Sequence, residues 1–224
     1  MKNRLIAARL TISTLLGIAA TLPAQKLEKW QKDPFTKNDP EKMAAAGYLN
    51  YGPFAFGNLA SDTVTSTQIQ ASLPFTNIIW METEHFRIGV ELPTWSVPTA
   101  APIRKKIRAE LTELKKKLPS INPKTRKLTP WLRAHLTAHR LEKLHAETQA
   151  LFGVSDDQFP SDPSKVFAEP GKTYMGYGPH MGMRDTFLLL VIAKQGPFRQ
   201  YMEKYLGRPS VQPQRWHFVE SSSL

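Results

Sequence analysis

Residues 129–153 read TPWLRAHLTAHRLEKLHAETQALFG. Both ends of a helix are written into this stretch. The Thr129 hydroxyl suits the free N–H groups of a first turn. Pro130 follows at the first helical position, where its missing N–H leaves no bond unmade. Gly153 suits the left-handed conformation that ends many helices. Between them Ala134, Ala138, Leu141, His145, Thr148 and Phe152 recur at steps of three and four, with Trp131 at the edge of the same face. The small alanines allow close approach to a sheet. The spacing predicts a helix over 130–152 lying on strands.

The strands are sought on either side. Upstream, Ile78, Ile79 and Trp80 precede Phe86, Ile88 and Val90, which alternate with polar or small residues, so strands are expected at about 77–81 and 85–91. Downstream, Phe187–Ala193 is apolar throughout and reads as a strand buried on both faces. A second long helix is expected at about 102–118, where Ile103, Ile107, Leu111, Leu114 and Leu118 form one stripe and Pro119 stops it. Shorter helices are expected at about 39–46, capped by Asp39 and opened by Pro40, and from Gly196 to Leu206 before Gly207. Arg215–Glu220 reads as a last short strand. The fold class is α+β: a small mixed sheet packed against two main helices. Residues 25–75 are read as an irregular arm, 76–220 as the α+β domain and 221–224 as a tail. Tyr48, Tyr51, Phe54 and Phe56 are expected to pin the arm to the domain; the alternative is a ligand-stacking surface.

The first 24 residues resemble an export signal. Lys2, Arg4 and Arg9 precede a mostly apolar run from Leu10 to Leu22, then Pro23-Ala24 and a polar turn in composition. The expectation is an exported chain, periplasmic, envelope-associated or extracellular. Cysteine is absent, which removes disulfides, thiol catalysis and cysteine-bearing zinc sites. The net charge is +11, and the signal carries three of those charges. Residues 103–127 carry ten basic side chains against Glu110 and Glu113, so the basic excess is local. Arg104, Lys105, Arg108, Lys115, Lys116 and Lys117 are the anion-binding candidates. For an exported chain, the partner that fits is an anionic envelope polymer or a membrane surface rather than nucleic acid.

Six histidines invite a metal reading. His135 and His139 lie one helical turn apart, with Glu142 three residues further, a workable zinc geometry. The protease motif His-Glu-x-x-His is not met, because Leu136 stands where the base belongs. A surface or interface role is the alternative for that pair, and His145 reads as a packed core histidine. Glu82-Thr-Glu-His85 is a second possible cation cluster at a strand start. His180, near Arg184 and Asp185, sits in a glycine-rich loop suited to an exposed functional group. No Gly-x-Ser-x-Gly, phosphate loop or dinucleotide fingerprint occurs, and neither a cofactor nor a catalytic residue is assigned.

From residue 82 onward the order is a Glu84-His85-Phe86 strand, helices, a long helix with Leu141-Glu142-Lys143-Leu144-His145-Ala146-Glu147 closing on Phe152-Gly153, a strong strand, a short helix and Arg215-Trp216. This resembles the front half of the zincin-like "peptidase MA" domains of exported bacterial proteins. The resemblance implies a zincin-like scaffold whose catalytic helix would follow the last strand. The chain has no His-Glu-x-x-His, so no family ligand carries over to any residue. The functional expectation is an exported, non-catalytic binding or assembly module. The alternatives are a truncated zincin-like hydrolase relative and an anion-binding surface protein.

Overall fold

The computed structural model describes residues 27–56, 64–159, 178, 180–183, 185–210 and 212–213. The expected export signal at 1–24, the expected strand at 215–220 and the tail lie outside the described residues. The fold is α+β. Helices α1 (Pro40–Ala45) and α2 (Ser66–Ser72) precede strands β1 (Ile79–Glu82), β2 (Phe86–Glu91) and β3 (Trp95–Ser96). Helix α3 (Ala101–Lys117), strand β4 (Lys127–Leu128), helix α4 (Pro130–Phe152), strand β5 (Phe187–Ile192) and helix α5 (Gln195–Leu206) follow. The main sheet has the order β1-β2-β5, and β3 pairs with β4 in a separate ribbon. β1 runs antiparallel to β2, whereas β5 runs parallel to it.

Strand alternation sorts the sheet residues into two cores. Ile79, Met81, Ile88 and Val90 face α3 and α4 and pack with Leu111, Leu114, Ala134 and Ala138. Ile78 and Trp80 join Leu188, Leu190 and Ile192 on the other face, against Ile69 and Leu73 around α2 and Tyr201 and Tyr205 of α5. Trp80 lies opposite Gly89 in the register. A Cβ at Gly89 would stand 2.5 Å from the Trp80 ring and 2.8 Å from Leu190. The missing side chain is what lets the indole cross the sheet.

The expected caps of α4 are present. Thr129 accepts the Leu132 N–H, and Gly153 adopts φ 65°. Phe152, expected on the packed face, is 68% exposed, because the last turn runs beyond the sheet. Ile103 likewise falls outside the core and the α3 stripe begins at Ile107. β5 corrects a further expectation. Both its faces are covered, but it is the sheet edge among the described residues and each of its side chains is only half-buried.

The arm is more ordered than its composition suggests. Thr65 and Gln68 form a capping box that starts α2. Met43, Ala46 and Tyr48 enter the same core as α3 and α4, and Phe54 and Phe56 enter the core on the other face. The arm aromatics therefore pin it to the sheet and do not offer a stacking surface.

Candidate metal centre

His135, His139 and Glu142 do not come together. His135 is fully buried, which corrects the surface role expected of it. Its Nδ1 lies 2.8 Å from the Tyr48 hydroxyl. Its Nε2 lies 3.1 Å from Asp33 Oδ1, within ion-pair range but off the alignment of a hydrogen bond. Asp33 also accepts the Phe35 N–H, the Thr36 N–H and hydroxyl, and the Tyr51 hydroxyl. Burial pushes the Asp33 carboxyl up, but His135 and these donors outweigh it and hold it down at about 2. Burial beside Asp33 raises both Tyr48 and Tyr51, so each remains a phenol. This network ties the arm to α4 and leaves His135 no lone pair for an ion. His139 is half-buried, with burial and Lys117 lowering its proton affinity.

Glu142 turns the other way, toward His85. His85 stands at the tight turn between β1 and β2, where its backbone N–H donates to Glu142 Oε1 at 3.2 Å. Its ring Nδ1 lies 2.6 Å from Glu142 Oε2, and its Nε2 lies 3.1 Å from Asp156 Oδ2. Glu82, expected to share a cation with His85, pairs with Arg87 at 2.7 Å. The partners of His85 therefore come from α4 and from the turn after it, not from its own strand.

His145 lies one turn beyond Glu142 on α4 and stacks on His85, ring centroids 3.8 Å apart. It is 5% exposed, as a core histidine should be. Yet its Nε2 is buried without a hydrogen bond, 3.9 Å from Asp156 Oδ1. His180 meets His85 edge-on at 5.9 Å, and its Nδ1 is also buried without a partner. The Met181 N–H donates to Asp156, which ties the turn at 180–183 to the cluster.

The charges are arranged in a consistent way. Burial lowers the proton affinity of His85, but Glu142 and then Asp156 raise it by a larger amount. Burial and the neighbouring His85 charge lower His145 and His180. Burial raises Glu142, but bonds from Thr83 and His85 lower it further. One imidazole is thus clamped between two carboxylates, with two neutral imidazoles beside it.

His85, His145 and Asp156 each offer one donor atom, and the three atoms lie within 4.8 Å of one another. No other such trio occurs among the described residues. Tetrahedral zinc binds nitrogen at about 2.0–2.1 Å, which sets donors a little over 3 Å apart. His85 Nε2 and Asp156 Oδ2 stand 3.1 Å apart, close to that spacing, while His145 Nε2 lies 3.9 Å from Asp156 Oδ1. Comparison with family models, curated proteins and solved structures finds no match.

Proposed function

We propose that this chain is an exported, non-catalytic binding protein whose ligand is a divalent transition metal held by His85, His145 and Asp156. The observation that carries the reading is the trio of donors within 4.8 Å, drawn from a strand start, a helix and the turn after that helix. Two imidazoles and one carboxylate suit zinc and its neighbours, whereas calcium and magnesium prefer all-oxygen shells. Glu142 supports the choice. A carboxylate on Nδ1 fixes the imidazole so that Nε2 faces the metal, an arrangement common around zinc histidines. The unbonded His145 Nε2 supports it too, since buried polar atoms rarely go unpaired. Binding is favoured over hydrolysis because Glu142, the nearest carboxylate fit to act as a base, is held by two contacts from His85.

Cobalt absorption and zinc calorimetry on the purified chain test this. The expected result is one equivalent bound. Glu142→Gln weakens affinity by about 10–100-fold, the usual cost of losing an orienting carboxylate. Asp156→Asn and His145→Ala weaken it more, and His139→Ala leaves it unchanged. Circular dichroism confirms that each variant is folded. Equal affinity in wild type and Asp156→Asn would sink the proposal, and loss in His139→Ala instead would return the site to the His135, His139 and Glu142 set.

A further inference from the structure

The face of α3 turned away from the core carries a row of exposed cations, none of them among the residues proposed to hold a metal. Residues on a helix advance about 100° each. On that count Arg104, Arg108 and Lys115 fall within about 40° of one another, and Lys105 and Lys116 lie within about the next 80°. All five are exposed. The arc they span contains no acid. Glu110 and Glu113 sit on the far side of it. Glu110 is taken by Arg140 of α4 through two bonds, at 3.2 and 2.6 Å. Glu113 pairs with Lys116 at 2.6 Å, with both side chains more than half exposed, a contact of little strength in water. Among the described residues Arg104, Lys105, Arg108 and Lys115 make no ion pair.

The row is straight. With a rise of about 1.5 Å per residue, Arg104 to Lys115 spans about 16 Å along one axis, with about 6 Å between Arg104 and Arg108. Those intervals are comparable to the screening length of about 8 Å at physiological salt, so the cations act as one positive rail. Between them Ala101, Ala109 and Thr112 line a shallow groove with Arg104, Lys105 and Arg108. Small side chains beneath a double row of cations admit an extended chain.

We propose that this face binds a soluble linear polyanion, a polymer carrying phosphate or carboxylate groups at regular intervals. Charge complementarity selects the class, and the composition of the face selects among its members. Helices that lie on a bilayer gain much of their hold from apolar side chains inserted beside the cations. Most of the apolar stripe of α3 is instead spent in the core through Ile107, Leu111 and Leu114, and its exposed member, Ile103, falls outside the basic arc. Single-stranded nucleic acid needs aromatic rings for stacking. Helix α3 has none.

The test uses the full mature chain and a fluorescein-tagged long-chain polyphosphate, read by anisotropy across a salt series. One variant changes Arg104, Arg108 and Lys115 to Gln. A control variant changes Lys32, Lys194 and Arg199 to Gln, which removes the same charge from exposed positions elsewhere. Each phosphate contact contributes about 0.7–0.9 to the slope of log affinity against log salt. The rail variant should lose about two to three from that slope and weaken at low salt by at least about 30-fold, while the control keeps most of both. Melting temperatures within a few degrees establish that both variants fold. Equal losses in the two variants would reduce the effect to net charge and overturn the proposal. So would wild-type binding with no salt dependence. Tighter binding to phosphatidylglycerol vesicles than to polyphosphate would replace the polymer with a membrane.

Discussion

Replacing Asp33 with Asn tests the junction between arm and helix. Asp33 is fully buried and accepts from Phe35, Thr36 and Tyr51, with His135 Nε2 at 3.1 Å. Burial alone would favour the neutral acid, yet His135 and the donors bring the carboxyl from 3.8 down to about 2. A tenfold change in proton affinity is worth about 1.4 kcal/mol, so ionised Asp33 contributes about 2 kcal/mol to the folded state. The folded value is the depressed one. The contribution is therefore complete above the unfolded value near 3.8 and is lost as pH falls through about 2. Asn does not titrate. At neutral pH the variant should be less stable by about 3–5 kcal/mol, the cost of removing one member of a buried charged network. For a chain of this size that lowers Tm by about 6–20 °C. Denaturant titrations followed by circular dichroism should show the gap between wild type and variant closing by about 2 kcal/mol between about pH 5 and about pH 2. A gap that stays constant over that window would refute the assignment of Asp33 as a stabilising carboxylate.

Gly89→Ala should cost about 1–3 kcal/mol by overpacking, because the new methyl meets the Trp80 ring and Leu190; an unchanged denaturation midpoint would show that the indole has room to move. Residues 1–30 fused to a periplasm-dependent reporter should give activity. Exchanging Leu15 and Leu16 for Glu should abolish it, and undiminished reporter activity would remove the export signal from the account.

The helices were legible because their ends are chemically marked. Thr129-Pro130 and Gly153 bound α4 as expected, and Asp39-Pro40 opens α1. Helix α2 escaped notice because Ser66–Ser72 is polar and carries no stripe; its one local sign was the Thr65 and Gln68 box. β5 looked buried on both faces because an apolar run does not say whether a neighbouring strand lies on each side. The trio His85, His145 and Asp156 was hidden for a different reason. His85 and Asp156 are 71 residues apart and meet only because the β1–β2 turn lands beside the end of α4. Local spacing pointed to His135, His139 and Glu142. Two of those three are drawn off by partners far away in sequence, Tyr48 and His85. The basic rail was visible from sequence because a helical face needs only its own period to be found.

The bonds from the arm to α4 also bear on the order in which the chain acquires structure. Trp131 Nε1 donates to the Trp30 carbonyl across 101 residues, and Tyr48 meets His135 across 87. A chain emerging N-terminus first can pair Leu49 and Asn50 with Glu82 early, but the ties of Trp30 and Tyr48 wait until the helix beginning at Pro130 has also emerged. Contacts of such long span form late and slowly. The described part of the arm therefore completes its docking only once α4 is in place, which makes this junction one of the last in the chain to close.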